Sequence, residues 1–382
     1  MSMLTDKYDR QIRLNHFGLE AQHKLANAKV LVVGAGGLGC PALLYLAASG
    51  VGTLGVADYD VIERSNLHRQ ILFGEADLGL MKAEVAVKKL KVLHPHMNFI
   101  CINERMHPKN VLSYFSDFDL ILDCTDNFET RYLINDACVL LNKPWVYGSL
   151  YEYEGQVSVF NHTDESGVKA NYRHIFPDPP ANDEIQTCNE AGVLGVLAGV
   201  IGTLMAAEVI KVIAQTGRSL SNLLLSLNLR TNEQQVIRIL KENALEMQQN
   251  IPQSVQQLET MDYSMICRKE NNPAEVDYFQ ILSWLEEFNT QVIDIREGYE
   301  QPKITSIPVK EISVSELDVH LLAETTSKRV ILICRTGRRS NQAAARIRQL
   351  HPELTIYSLE GGIFQWPQLI NATYEFNESS KA

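Results

Sequence analysis

A chain of 382 residues, 45% hydrophobic and 21% charged, has the make-up of a globular protein of about two or three domains. Its net charge of -11 argues against nucleic acid as the main partner, because phosphate recognition needs a basic face. Cysteines at 40, 101, 124, 138, 188, 267 and 334 form no Cys-x-x-Cys pair, and Asp6, Lys7, Asp9 and Arg10 interrupt any apolar leader, which fits a reducing cytoplasm.

Strands and helices alternate from the start, the pattern of an α/β sheet. Lys29–Val33 reads as a strand, 41–49 as a helix and Thr53–Ala57 as a second strand. Lys82–Leu93 has helical spacing, 98–103 and 120–124 are strands, 131–141 is a helix and 145–148 a fifth strand. From 161 to 189 the pattern breaks, and Pro177, Pro179 and Pro180 mark an irregular loop. Residues 191–207 carry no charge, but Glu208 and Lys211 follow at once. That run is at the short limit for a bilayer span and reads as a buried helix, so no membrane is expected. Short strands follow at 223–229 and 235–240.

The composition then shifts to Gln, Asn, Glu and Ser, a linker with room for one short helix. A second α/β pattern places strands at 291–295 and 329–334 and a helix at 340–349. The domain boundaries expected are 1–245, a linker 246–274, and 275–382.

Gly34-Ala35-Gly36-Gly37-Leu38-Gly39 lies between a strand and a helix. It fits G-x-G-x-x-G, with Gly34, Gly36, Gly37 and Gly39 where the backbone must turn and approach phosphates at a helix N-terminus. Asp58, at the end of the next strand, is placed to accept hydrogen bonds from ribose hydroxyls. Alone these features fit NAD, FAD or ATP. Asn66, Arg69 and Lys82 add an amide and two cations, which suit a triphosphate better than a dinucleotide. Asp126 sits at the C-terminal end of a strand, where ligands bind in open α/β sheets, and a carboxylate there makes sense with magnesium between it and phosphate. Asp123 reads equally well as a turn or helix cap.

Tyr8-Asp9-Arg10-Gln11-Ile12, the glycine loop, Ser65-Asn66-Leu67-His68-Arg69-Gln70 and Asp123-Cys124-Thr125-Asp126-Asn127 together resemble the motif set of MoeB/ThiF and ubiquitin-activating enzymes, over about residues 5–240. The resemblance implies a Rossmann-like ATP-binding domain that adenylylates a protein C-terminal carboxylate. It gives Asp58 the ribose, Asn66, Arg69 and Lys82 the phosphates, and Asp126 the magnesium. It makes Arg10 a finger given to the partner subunit's ATP, hence a homodimer. Relatives commonly hold zinc on two Cys-x-x-Cys pairs; this chain has Asn171-Tyr172-Arg173-His174 at the first, so no zinc is expected.

Cys188 precedes the apolar helix and reads as a nucleophile toward the acyl-adenylate, its thiolate favoured near a helix N-terminus. The competing reading is a buried small hydrophobe. Cys40, Cys101, Cys124, Cys138 and Cys267 read as inert.

A second cysteine loop follows the strand Val330-Ile331-Leu332-Ile333: Cys334-Arg335-Thr336-Gly337-Arg338-Arg339-Ser340. Backbone N–H groups, three arginines and a helix N-terminus would all stabilise an anionic sulfur. Phosphatases of the Cys-x5-Arg type need an arginine six positions after the cysteine, where this chain has Ser340. The loop, with Ile293-Asp294-Ile295-Arg296-Glu297 and Leu359-Glu360-Gly361-Gly362-Ile363-Phe364-Gln365-Trp366, resembles rhodanese-like sulfurtransferases over about residues 275–370. Asp294 and Arg296 read as a buried structural pair, and the His-Ile-Pro segment of that family is Ser306-Ile307-Pro308 here.

The two resemblances imply that ATP activates the C-terminal glycine of a MoaD-like or ThiS-like ubiquitin-like carrier ending in Gly-Gly, and that a Cys334 persulfide then supplies sulfur to give a thiocarboxylate. Such carriers serve molybdopterin, thiamin or tRNA thiolation, and a cysteine desulfurase or another donor would load the persulfide. One alternative is adenylylation of a peptide or small molecule without a carrier. Another is an NAD-binding redox regulator with a sulfur-sensing domain.

Overall fold

Alternate side chains of Lys29–Val33, strand β1, enter different cores. Val30 and Val32 pack on one face of the sheet, Leu31 and Val33 on the other. A strand buried on both faces is what a near-continuous apolar run implies. The computed structural model describes residues 6–177, 192–239, 251–263, 275–286, 290–314, 329–352 and 354–370. They form two units, 6–263 and 275–370.

In the first unit, α1 (Asp9–Ile12) and α2 (Gly18–Asn27) precede β1. There follow α3 (Gly39–Ser49), β2 (Thr53–Ala57), α4 (Lys82–Leu93), β3 (Asn98–Ile102), α5 (Val111–Ser116), β4 (Leu120–Asp123), α6 (Phe128–Leu140) and β5 (Trp145–Tyr151). Beyond them lie β6 (Glu154–Phe160), α7 (Gly195–Ala214), β7 (Leu223–Asn228) and β8 (Glu233–Arg238). The sheet order is β3-β2-β1-β4-β5-β6-β7-β8. The first five strands are parallel; β6 to β8 continue the sheet antiparallel. The order reverses beside β1, which opens a crevice at the strand C-termini between β1 and β4.

The fifth strand runs three residues beyond the expected 148, and β6 was not among the expected strands. Gln156 and Ser158 interrupt its apolar pattern; Ser158 is buried because its hydroxyl donates to the Leu223 carbonyl at 2.8 Å. The uncharged run becomes α7, long and apolar enough to cross a membrane by composition. Leu197, Ile201 and Met205 pack instead into the first core, and side chains on Gly148 or Gly155 would collide with Met205 or Ile201.

Part of the stretch read as linker is docked on the first unit. Ser254 caps the short helix Val255–Thr260, α8, by accepting the Gln257 N–H. Leu258 and Tyr263 join the second core. Tyr263 donates its hydroxyl to Asp136 Oδ2 at 2.7 Å. The same carboxylate takes a two-pronged bond from Arg173, at 3.0 and 2.7 Å. Asp136 and Arg173 are 0% and 2% exposed. Arg173 belongs to the segment Asn171–His174, and Tyr172 beside it lies among Trp145, Tyr147 and Phe160. A buried ion pair and an aromatic cluster thus hold this segment. Tyr263→Phe is expected to cost about 1 kcal/mol of the first unit's stability, and Asp136→Ala about 3–5 kcal/mol, because it strands the Arg173 charge. Denaturant unfolding checks the order; equal costs would refute it.

The second unit begins with β9 (Glu275–Val276), α9 (Tyr278–Glu286), β10 (Thr290–Asp294) and β11 (Lys310–Glu311). It continues with β12 (Arg329–Ile333), α10 (Arg338–Leu350), β13 (Thr355–Leu359) and α11 (Gly362–Gln365). Its sheet is parallel, ordered β11-β10-β12-β13-β9. Asp294 and Arg296 form the expected pair, at 2.7 Å and 2–4% exposed, and Arg296 also donates to the Pro302 carbonyl at 2.8 Å.

Candidate functional site

The glycine loop leaves β1 through Gly34 at φ +97, where a Cβ would fall 2.6 Å from the Cys124 carbonyl oxygen. Only glycine suits both the dihedral and the approach of β4. A side chain on Gly39 would collide with the Gly34 carbonyl. Asp58, at the end of β2, accepts the Ala35 N–H at 2.7 Å and the Asp60 N–H at 2.9 Å. Burial raises its pKa, against the opposing pull of Lys82 and these two N–H groups. Lys82 opens α4, is 6% exposed, and donates to Asp60 Oδ2 at 2.8 Å.

Arg69 lies over the loop: its Cγ would be 3.4 Å from a Cβ on Gly37. It also donates to the Ser65 carbonyl at 3.1 Å. Asn66 ends the short 3-10 helix Arg64–Asn66, and its side chain accepts the Glu63 N–H at 3.2 Å. Gln70, given no role in the sequence reading, is 3% exposed, and its Nε2 would be 3.7 Å from a Cβ on Gly36. Its buried Oε1 has no hydrogen-bond partner among the described residues. A buried orphan amide oxygen beside this loop is unfavourable unless a donor, such as a ligand hydroxyl or amine or a water, meets it. The signal was its place in the Ser65–Gln70 motif.

Asp123 and Asp126 divide their roles. Asp123 is 0% exposed and accepts the Thr125 N–H and hydroxyl at 2.9 and 2.6 Å, with Arg131 Nε at 3.2 Å. Arg131, 4% exposed, also donates to the Thr125 and Gly148 carbonyls and lies 4.9 Å from the Tyr147 ring centre. The helix cap is neither aspartate but Asn127, which accepts the Thr130 N–H at 2.9 Å. Asp126 is left exposed at the tip of this braced turn. Tyr59 lies close: burial raises its phenol pKa, Arg105 lowers it, and Asp60, Asp126 and Asp58 raise it further. Asp58, Asp60, Asp126 and Lys82 therefore share one end of the sheet.

Arg10 is exposed and lies elsewhere. Its neighbour Gln11 donates to the Ser49 carbonyl at 3.2 Å, and a Cβ on Gly50 would touch the Tyr8 ring. Both contacts are at the C-terminal end of α3, about 16 Å along the helix from the glycine loop. Cys188 and Cys267 lie outside the described residues. Burial pushes the Cys40 thiol up to about 12 and holds Cys124 and Cys138 well above the usual range. Desolvation raises exposed Cys101 as well. No group of three His, Cys, Asp or Glu converges on a metal position among the described residues.

In the second unit, β12 delivers Cys334 to the turn preceding α10. Gly337 adopts φ +84, and a side chain on Gly362 would collide with the Cys334 carbonyl and the Gly337 nitrogen. The cysteine loop and the Gly361-Gly362 turn therefore interlock. Ser340 supplies the sulfur's described hydrogen bonds, from N–H at 3.4 Å and hydroxyl at 3.3 Å. Of the expected arginines, Arg339 lies near enough to Cys334 for the sulfur to help raise its pKa, and it has a second anionic partner. Arg339 makes a two-pronged bond to Glu300, at 2.6 and 2.7 Å, which raises the guanidinium pKa and lowers that of the carboxyl. Arg335 lies 4.7 Å from the Phe364 ring centre. Thr336 is half-buried, and the Arg338 side chain lies outside the described residues.

The ThiF family model matches residues 8–248, and the rhodanese-like domain model matches 279–369. The adenylyltransferase and sulfurtransferase MOCS3 of Drosophila sechellia is 38% identical over 389 residues, covering 96% of this chain and 84% of that protein. The probable adenylyltransferase/sulfurtransferase MoeZ of Mycobacterium tuberculosis is 36% identical, covering 94% of this chain and 92% of that protein. Among solved structures, E. coli MccB with MccA-N7isoASN superposes with a TM-score of 0.54 at 23% identity, over 63% of this chain and 72% of that chain. That likeness carries the fold alone. With both family models matched and these relatives covered over 84% and 92% of their length, the chain belongs to the ThiF family, bears a rhodanese-like domain after it, and is an enzyme of the adenylyltransferase and sulfurtransferase kind.

Proposed function

We propose that the first unit uses ATP and magnesium to adenylylate the C-terminal glycine of a small ubiquitin-like sulfur carrier of the MoaD/ThiS type, and that Cys334 then supplies sulfur as a persulfide. The observation that carries this reading is the pairing, in one chain, of a cation-lined glycine loop with a cysteine loop built around a single sulfur. The carrier carboxylate attacks the α-phosphate, forming the acyl-adenylate while pyrophosphate leaves. Gly34, Gly36, Gly37 and Gly39 admit the phosphates; Asn66, Arg69 and Lys82 balance their charge, and Asp58 takes the ribose. The Lys82–Asp60 pair keeps the ammonium beside the loop before nucleotide binds. Magnesium at Asp126 would neutralise phosphate charge. The buried Gln70 oxygen, without a partner among the described residues, supports a hydrogen-bond donor at this loop, as a nucleotide hydroxyl or amine would supply.

Cys188 is the nucleophile proposed to take the acyl group. The outer sulfur of the Cys334 persulfide then attacks the acyl carbon and the Cys188 thiolate leaves, giving an acyl disulfide on Cys334. An external thiol reductant attacks Cys334 Sγ, the S–S bond breaks, and the thiocarboxylate leaves with the electron pair. A second thiol reduces the mixed disulfide left on Cys334. Arg335, Thr336, Gly337, Arg338 and Arg339 form the persulfide's loop. The boundaries 1–245, 246–274 and 275–382, a cytoplasmic homodimer and a site without zinc belong to the same reading. So does a cysteine desulfurase or another donor that reloads Cys334.

Because Arg10 is anchored at the far end of α3 from its own glycine loop, it is proposed to serve the partner subunit's nucleotide. Mixing Arg10→Ala with Asp126→Ala subunits should restore one working site per dimer, giving about a quarter to a half of normal exchange. Two inactive parents that stay inactive when mixed would remove the finger from the mechanism. The test of the function itself is ATP–pyrophosphate exchange with carriers ending in Gly-Gly. Exchange that requires a carrier supports the reading; exchange with free peptide alone supports the carrier-independent alternative.

A further inference from the structure

Cys334, Ser340 and Ser358 form a closed polar group in the second unit, each 0% exposed. Ser340 Oγ lies 3.3 Å from Cys334 Sγ, 2.9 Å from the Gly337 carbonyl oxygen and 2.8 Å from Ser358 Oγ. Ser358, opposite Leu332 on β13, lies 3.2 Å from the same Gly337 oxygen. Each hydroxyl has one proton and donates once. Ser340 therefore cannot serve sulfur and carbonyl together. If its proton goes to Ser358, the sulfur keeps only the Ser340 N–H at 3.4 Å among the described donors. If instead the Ser358 proton goes to Ser340 Oγ, or to Gly337, the Ser340 proton is released to sulfur. Gly337 loses little, because its oxygen also accepts the Asn341 N–H at 3.0 Å.

We propose that Ser358 is a positioning residue for Cys334: acting through Ser340, it directs a hydroxyl proton onto the sulfur when that sulfur is anionic. This rests on the reading of Cys334 as a sulfur carrier, which makes the charge on Sγ come and go. With thiosulfate as donor, the Cys334 thiolate bonds to the outer sulfur. The bond from that sulfur to the sulfonate group breaks, and sulfite leaves with the electron pair. The charge now sits on the outer persulfide sulfur, and Sγ is a neutral bridge. When an acceptor nucleophile takes the outer sulfur, the S–S electron pair returns to Sγ. The hydroxyl is needed at Sγ in the thiolate state and is free to return to Gly337 in the persulfide state. A Ser358–Ser340–sulfur chain also polarises its second link, which strengthens it in a dry interior. No motif singled out Ser358. It reads as a small residue before Leu359-Glu360-Gly361-Gly362, and only the fold sets it against Ser340.

Thiolate absorbance, titrated on the full chain and taken as the difference from Cys334→Ala, isolates this sulfur. Ser358→Ala removes the hydroxyl and adds no bulk. Its midpoint should move up by about half a pH unit, the worth of one hydrogen bond, and that of Ser340→Ala by about one unit. The double variant should move no further than Ser340→Ala, because Ser358 acts only through Ser340. An unmoved midpoint in Ser358→Ala overturns the proposal, and so does a double variant whose shift is the sum of the singles. Thiosulfate-to-cyanide transfer is measured alongside. Its absence from the unaltered chain would sink the sulfur-carrier reading and leave the titration standing.

Discussion

Asp126→Ala is expected to lower carrier-dependent ATP–pyrophosphate exchange by about a hundredfold to a thousandfold while the protein stays folded. The fold separates the two effects. Asp126 is exposed, and its turn is braced by its neighbours: Asp123 holds both Thr125 donors, and Arg131 clamps Asp123, Thr125 and Gly148. Removing the Asp126 carboxylate deletes an exposed charge and leaves that brace intact. Asp123→Ala should instead destabilise the unit by about 3–5 kcal/mol, since it leaves Arg131 buried without its anion. Exchange within tenfold of normal in Asp126→Ala would take that residue out of the nucleotide site, whatever the stability of the Asp123 variant.

Cys334→Ala is expected to abolish sulfur transfer from thiosulfate, by more than about ten-thousandfold, with ATP–pyrophosphate exchange retained. The sulfur is the only atom lost, and the Ser340 hydroxyl that it leaves behind still has the Gly337 carbonyl and Ser358 as partners. The loop should survive, because Gly337 and the Gly361-Gly362 turn shape it through the backbone. The two units have separate cores and separate sheets, so the exchange reaction should not register the change. Loss of both activities would refute independent roles. Retained sulfur transfer would move the persulfide to another cysteine.

Local sequence determined most of the framework. Lys29–Val33, Thr53–Ala57 and Lys82–Leu93 fold where their periodicity places them, because a doubly buried strand or an amphipathic helix is specified by residues within a few positions. The glycine loop was legible for the same reason: the turn between β1 and α3 needs its special residues at fixed short spacing. Cys334, at the end of a strand and the start of a helix, was equally plain.

Tertiary structure alone decided the pairings across long separations. Arg339, expected beside Cys334, also pairs with Glu300, 39 positions away in the chain. Tyr263 lay in a stretch of linker composition and is held by Asp136, 127 positions earlier. Strand β6 was hidden by Gln156 and Ser158, whose polar groups are acceptable only because neighbouring strands meet them. Ser358 carried no signal, since its role needs a second hydroxyl that the fold brings to 2.8 Å. Periodicity and turn chemistry are local and were determined by the chain's own order of residues. The partner of a buried charge or hydroxyl is set by three-dimensional packing, and only the folded molecule contains that information.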